Sequence, residues 1–290
     1  MDNTKQLNCI SFCSGYAGFE LGLKRVIPNV RTVAYVESEA FAVANLVAKM
    51  EEDKLDVAPI WTNLKTFNGR PFRDRVHIFT GGYPCQPFSH AGSRKGTSDP
   101  RHLWPYIRHH ISTIRPLCCI FENVAGHVTL GFDEVYKDLR ALGYSVEAGL
   151  FTAAEVGAPH KRERLFILAY TSSIPESWAI KDGVCGRKVC ELSWQGEIRS
   201  EHSGCCEGDR GEELDDSKSL RSQWPARPGQ PQYDWEEPRT VEPGMGRTTN
   251  EFASRVDELR FLGNGIVPDT AEKAIRYLFK KAGVNNEWLH

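Results

Sequence analysis

The sequence predicts an α/β fold: a mostly parallel sheet with helices on both faces, followed by a small irregular region. Two observations carry this expectation. Over the first 170 residues, short apolar runs alternate with stretches of helical periodicity, the pattern of successive strand–helix–strand units. At Thr171 the composition turns to Gly, Ser, Pro, Glu and Trp with little periodicity, and such a segment cannot build a large core unaided.

Leu7 to Phe12 reads as a buried strand that ends in the turn Ser14-Gly15-Tyr16-Ala17-Gly18. Phe19 to Val26 follows as a helix, with Phe19, Leu21, Leu23 and Val26 at helical spacing and Pro28 just past its end. Val30 to Val36 is β-branched and apolar and closes with Glu37, and Ala40 to Met50 is helical again. Further strands are expected at Val57 to Ile60, Val76 to Thr80, Leu117 to Phe121, Tyr144 to Phe151 and Leu165 to Tyr170, with helices at His102 to Ile114 and Asp133 to Leu142. Glu251 to Leu262 and Thr270 to Ala282 return to amphipathic helix, the second with Ala271, Ala274, Ile275, Leu278 and Phe279 on one stripe. The chain therefore divides into 1–170, a variable region at 171–250, and C-terminal helices at 251–290.

Composition narrows the class. The 290 residues, 40% hydrophobic and 26% charged, are those of an ordinary globular protein of about two domains. No apolar run approaches the ~18 residues of a membrane span, and Met1 to Gln6 does not open a secretory signal. The nine cysteines are accordingly expected as reduced thiols in a cytosol. Net charge is −2, but its distribution is uneven. His90 to Arg115 carries Arg94, Lys95, Arg101, Arg108 and Arg115 against Asp99 alone, a segment suited to a polyanion. Glu201 to Asp216 carries seven acids against Arg210 and would repel one.

Ligands of an open parallel sheet bind beyond the carboxyl ends of its strands. The glycines after the first strand let the backbone turn tightly and bring a helix N-terminus close to a ligand. Nineteen residues past Gly18, Glu37 closes the second strand, where a carboxylate can accept both hydroxyls of a ribose. Together they point to an adenosine-containing ligand, although a tight turn before a helix explains the glycines alone. The full Gly-x-Gly-x-x-Gly spacing of a dinucleotide site is absent. S-adenosylmethionine has no phosphate to cradle, so a looser loop suffices. Asn63 and Leu64, after the third strand, offer a polar and an apolar contact to an adenine, or form an ordinary loop.

Gly82-Tyr83-Pro84-Cys85-Gln86-Pro87-Phe88-Ser89 holds one thiol in a backbone fixed by glycine and proline, just past a strand. A thiolate there would be a strong nucleophile, and an arginine such as Arg162 or Arg164 would raise its population. The alternatives are a small buried hydrophobe at Cys85 and a solvated charge cluster at Pro159 to Arg164. Cys118 to Phe121 leads into Glu122-Asn123-Val124, where a carboxylate needs a donor to offset its desolvation. That donor is an arginine, a helix N-terminus, or the ring nitrogen of a bound base.

Phe12 to Gly22, Gly82 to Ser89, Glu122-Asn123-Val124, Arg162-x-Arg164 and Leu262-Gly263-Asn264-Gly265-Ile266-Val267-Pro268 together resemble, in order, the motif set of the DNA (cytosine-5) methyltransferases, phage, prophage or restriction-modification types included. The likeness covers residues 7–170 and about 247–282. It implies a Rossmann-like S-adenosylmethionine-dependent fold with a target-recognition region at 171–250. It further implies that Cys85 attacks carbon 6 of a cytosine flipped from double-stranded DNA, that Glu122 holds the ring nitrogen and amino group, that Arg164 contacts the base, and that Arg162 supports the loop. The cofactor would be held by Ser14, Gly15, Gly18, Phe19, Glu37, Ser38, Asn63, Leu64, Pro84, Leu103, Asn264 and Ile266. Phe88 to Arg101 would grip DNA as the base leaves the stack, using Gln86, Ser89, Ser93, Arg94 and Lys95. No metal is implied, since Cys185, Cys190, Cys205 and Cys206 are irregularly spaced. The expected protein is a cytosolic, nucleoid-associated monomer, with any cognate restriction endonuclease acting separately.

Three positions depart from the family pattern. Cys13 stands where a phenylalanine usually packs on the cofactor, Asn63 where an aspartate is usual, and His160 in place of a glutamine. Three rival readings remain at this level: a nicotinamide-dependent oxidoreductase on the same sheet, a catalytically silent DNA-binding protein, and the same chemistry on transfer RNA. The first lacks its phosphate-binding glycines and gives Cys85 and Glu122 no role, and the sizeable region after Tyr170 favours DNA over transfer RNA.

Overall fold

The computed structural model describes residues 6–83, 103–171, 231 and 265–283. Seven strands form one sheet: β1 (Leu7–Phe12), β2 (Val30–Val36), β3 (Ile60–Trp61), β4 (Ile78–Gly81), β5 (Cys118–Val124), β6 (Ser145–Thr152) and β7 (Glu163–Tyr170), in the spatial order β3-β2-β1-β4-β5-β7-β6. Every pairing is parallel except those of β7, which runs antiparallel to both β5 and β6. The helices among the described residues are α1 (Gly18–Val26), α2 (Ala40–Glu51), α3 (Trp104–Ile114), α4 (His127–Leu130), α5 (Phe132–Ala141) and α6 (Pro268–Lys281).

Strands buried on both faces must be apolar at nearly every position, and β1 shows how both faces are used. Ile10 and Phe12 pack in one core with α3 residues such as Ile107 and Ile111 and with α5 residues such as Val135 and Leu139. Leu7 and Cys9 join the opposite core, built from Phe19, Leu23 and Val26 of α1 and the Ala271–Phe279 stripe of α6. Aromatic rings fill the first core around Phe12, which lies 4.4 Å from Phe79 and 5.3 Å from Phe67 between centroids.

Two glycines allow α6 to sit almost backbone to backbone on α1. A Cβ on Gly18 would lie 2.1 Å from the Ile266 carbonyl oxygen, and one on Gly22 would lie 2.7 Å from the Pro268 oxygen and 2.8 Å from Ala271 Cβ. No larger residue fits without moving backbone. Arg25 reinforces the seat, pairing with Asp269 at 3.1 Å while its carbonyl accepts from Arg276.

The sheet is mostly parallel with helices on both faces, as expected, but several boundaries move. The third strand is Ile60–Trp61 instead of Val57 to Ile60. Val57 is 71% exposed, and Pro59 can only accept a ladder bond, from the Tyr35 amide at 3.0 Å. Glu122, Asn123 and Val124 belong to β5 itself, because β7 continues the ladder as far as Val124 opposite Arg164. The expected helix at Glu251 to Leu262 lies outside the described residues, as does the region 171–250 apart from Thr171 and Pro231.

Candidate active site

In this strand order β1 has β2 on one side and β4 on the other, so the chain's connections diverge there. The crevice at the carboxyl ends of β1 and β4 is where such sheets hold ligands. The turn after β1 is sharply wound: Cys13, Gly15 and Ala17 have φ of 53°, 51° and 60°, every second residue in the left-handed region. Two of the three carry a side chain, which costs of order 1 kcal/mol or more each. One long-range and two local hydrogen bonds hold the turn there. The Cys13 amide donates to the Val36 carbonyl at 2.7 Å, the Ala17 amide to the Ser14 carbonyl at 2.8 Å, and the Ser11 hydroxyl to the Ser14 hydroxyl at 2.7 Å.

Glu37 is the hub of this end. One carboxylate oxygen accepts from the Gly15 amide at 2.8 Å and the other from the Glu39 amide at 2.9 Å, while the Glu37 amide donates to the Trp61 carbonyl. Each carboxylate oxygen keeps a lone pair for a further donor. Of the other expected cofactor residues, Ser14 is buried, Ser38 exposed, Leu64 buried, and Leu103 and Ile266 half-buried. Phe19 is different: its ring is 3% exposed and sits 5.9 Å from Phe166 in the core, leaving only its backbone for a ligand. Asn63 is exposed and its side-chain oxygen accepts from the Lys65 amide at 3.0 Å, so that atom caps a helical turn.

The second cluster surrounds Glu122. Its carboxyl is buried at the end of β5, and Arg164 of β7 meets it with Nε 3.0 Å from Oε1. Burial pushes the Glu122 carboxyl up to about 7, against the opposing pull of Arg164 and Arg162. Arg162, itself at a φ of 35°, donates to the Gly265 carbonyl and so ties the start of β7 to the approach to α6. Next to that tie is a cavity of about 330 Å³ whose lining includes Tyr16, Gly18, Lys49, Arg162 and Ile266. Gly82, just past β4, completes the junction. A Cβ there would stand 3.4 Å from Ile266 Cδ1, 3.6 Å from Glu122 Oε2 and 3.8 Å from the Cys13 carbonyl. The bare backbone at Gly82 thus leaves a space bordered by the ends of β1, β4 and β5 and by Ile266.

Pro84, Cys85, Gln86, Ser89, Ser93, Arg94, Lys95 and Asn264 lie outside the described residues. The two flanks of residues 84–102 are described, and they meet: Tyr83 and Trp104 rings are 5.5 Å apart, and the Trp104 indole donates to Asp138 at 2.9 Å. The Asn123 amide donates to the Tyr83 carbonyl at 3.2 Å, and the Tyr83 hydroxyl is 2.9 Å from His127 Nε2. Neither of these two contacts follows from sequence spacing. A third feature missed by the sequence is Glu20, a buried α1 carboxyl that accepts from the Thr80 hydroxyl at 2.8 Å. Among the described residues, no group of three or more His, Cys, Asp or Glu is placed to hold a metal, and no helix is long and apolar enough to cross a membrane.

A family model described as C-5 cytosine-specific DNA methylase matches residues 7–193, more than half of the chain. The chain belongs to the C-5 cytosine-specific DNA methylase family. Among its relatives, the Type II methyltransferase M.AplI of Arthrospira platensis is 31% identical over 175 residues, 59% of this chain and 48% of that protein. The Type II methyltransferase M.NgoMIV of Neisseria gonorrhoeae is 28% identical over 205 residues, 66% of this chain and 64% of that protein. The chain thus spans about half to two thirds of the length of these two relatives. A crystal structure of Dnmt2 from S. pombe aligns with a TM-score of 0.48 at 24% identity, covering 59% of this chain and 52% of that one. For a methylase of this family the acceptors around Glu37 are suitable: a buried carboxylate that keeps a lone pair on each oxygen fits the ribose hydroxyls of S-adenosylmethionine, which carries no phosphate to be balanced.

Proposed function

We propose that this methylase transfers a methyl group from S-adenosylmethionine to carbon 5 of a cytosine flipped out of double-stranded DNA, through a covalent adduct on Cys85. The observation that carries the reading is the buried Glu122 carboxyl, backed by Arg164 and standing 3.6 Å from the position a side chain on Gly82 would take, three residues before the thiol.

Glu122 and Arg164 act on the pyrimidine. With its affinity for protons raised to about 7, Glu122 is partly protonated near neutral pH and can hydrogen-bond the ring nitrogen while transferring a proton to it. That draws electrons from the ring as the Cys85 thiolate forms a bond to carbon 6, and carbon 5 becomes nucleophilic. S-adenosylmethionine, held beside Glu37, would supply the electrophilic methyl group to carbon 5, its sulfonium becoming a neutral thioether. Solvent then takes the proton from carbon 5, the ring double bond reforms, the sulfur–carbon 6 bond breaks to return the thiolate, and the ring nitrogen returns its proton to Glu122. Cysteine suits both ends of the cycle, being ionisable enough to attack and stable enough as a thiolate to leave.

Glu37 and the Gly15 turn would hold the ribose and Leu64 and Leu103 the adenine, with Ile266 and Asn264 closing the donor pocket. Gln86, Ser89, Ser93, Arg94 and Lys95 would contact DNA, and 171–250 would read the bases. We further infer a cytosolic monomer whose cognate nuclease, where there is one, is a separate chain. Methyl-labelled S-adenosylmethionine is incubated with the full chain and either duplex DNA or transfer RNA, followed by bisulfite sequencing of the DNA. Label is expected at cytosines in DNA at one short sequence, and none with Cys85→Ser. Labelled transfer RNA alone, or a Cys85→Ser protein as fast as the parent, would refute the reading.

A further inference from the structure

The mechanism above leaves one buried polar pair without a task. Tyr83 lies two residues past β4, with only Pro84 between it and Cys85. Its side chain is 5% exposed, its ring packs against Trp104, Phe121 and His127, and its hydroxyl lies 2.9 Å from His127 Nε2. His127 is 2% exposed at the start of α4, three residues past the end of β5. Burial pushes the imidazole down to about 4, so near neutral pH one ring nitrogen is an acceptor for a phenol proton. From the same strand end, the Asn123 side chain holds the Tyr83 carbonyl at 3.2 Å. Tyr83 is therefore held at both its main chain and its side-chain tip by residues that follow Glu122 within five positions.

We propose that the Tyr83–His127 pair is a positioning device: it sets the end of β4 relative to Glu122, and so fixes where the chain hands the cysteine to a base that Glu122 holds. The inference rests on the proposed methyl transfer. It follows from rigidity. A buried tyrosine needs only its ring to fill the core, and a phenylalanine would do that equally well. The hydroxyl adds a directional contact across 44 residues of sequence, joining the segment just past β4 to the start of α4, just past the carboxylate's strand. A reaction that needs two groups on one ring in register is sensitive to sub-ångström displacement of either.

The test separates this role from simple packing. Tyr83→Phe keeps the ring and removes the contact, and Tyr83→Phe with His127→Leu replaces both partners by apolar groups, leaving no polar atom of the pair unsatisfied. Single-turnover methyl transfer is measured at saturating duplex DNA and cofactor, alongside melting temperature and calorimetric S-adenosylmethionine affinity. Tyr83→Phe is expected to transfer about tenfold more slowly with cofactor affinity within about twofold of the parent. The double variant is expected to recover the melting temperature while transfer stays slow. Parent-like transfer by Tyr83→Phe, or recovery of rate together with melting temperature in the double variant, would overturn the proposal while leaving the methyltransferase reading intact. A parent chain that neither binds the cofactor nor transfers a methyl group would remove both.

Discussion

Arg164 and Glu122 are diagonal neighbours across the antiparallel pair β5–β7. Glu122 stands opposite Phe166 and Arg164 opposite Val124, which puts both side chains on one face with Nε 3.0 Å from Oε1. The contact exists because β7 reverses direction against its neighbours. In a parallel arrangement the chain entering β7 would lie at the opposite edge of the sheet. The guanidinium lowers the carboxyl's affinity for protons, yet burial outweighs it, and the net displacement is upward to about 7.

The direction of that displacement predicts a pH signature. Glu122 binds its proton more tightly folded than unfolded, so its contribution to stability is full below about 4.5 and is lost as pH rises toward 7. Glu122→Gln keeps an acceptor for Arg164 and removes the titration. Relative to the parent it should gain stability between pH 4.5 and 8, by on the order of 3 kcal/mol, in denaturant melts. A flat difference across that window would show the carboxyl to be no more basic than usual.

Arg164→Ala should be more damaging at pH 8 than at pH 5. At high pH it strands a buried carboxylate, a loss of about 3 kcal/mol when one partner of such a pair is removed. At low pH the carboxyl is neutral and needs no counter-charge. Parallel melting curves at the two pH values decide it, with a pH-independent loss pointing to packing alone.

Alanine substitutions separate the glycines. Where the backbone already suits any residue, Gly→Ala ordinarily stabilises by up to about 1 kcal/mol. Gly18→Ala should instead destabilise by about 2 kcal/mol or more, since the new methyl would meet the Ile266 carbonyl. Gly126→Ala is the control: with φ of −62° and nothing within 4 Å, it should be neutral or slightly stabilising. Equal melting temperatures for the two variants would contradict the close seat of α6.

Glu37→Gln should weaken S-adenosylmethionine binding about tenfold by calorimetry, because an amide supplies one acceptor where the carboxylate supplies two. It also turns a donor toward either the Gly15 or the Glu39 amide, so a stability loss of about 1 kcal/mol should accompany the change.

The parts legible in the sequence were those with a local signal. The β1 and β2 runs, the stripe on α6 and the placement of Glu37 each follow from periodicity or spacing within a single unit. The β3 boundary was not legible, because apolar Val57 imitates a strand residue while Pro59 interrupts its ladder. Nor was the insertion of β7 between β5 and β6, which depends on pairing between whole strands. Within the site, Glu122 and Arg164 were named from motifs, but their contact, and those of Tyr83 with Asn123 and His127, join residues 40 or more positions apart.

The glycine seat between α1 and α6 also bears on synthesis. Leu7, Cys9, Ile78 and Ile120 share their core with a helix that begins only at Pro268. On the ribosome, a nascent chain must therefore carry an uncovered greasy strip until residues 268–281 emerge. Fragments ended before Pro268 should be captured by chaperones or precipitate, and the turn after β1 acquires its Ile266 neighbour only once that segment has been made.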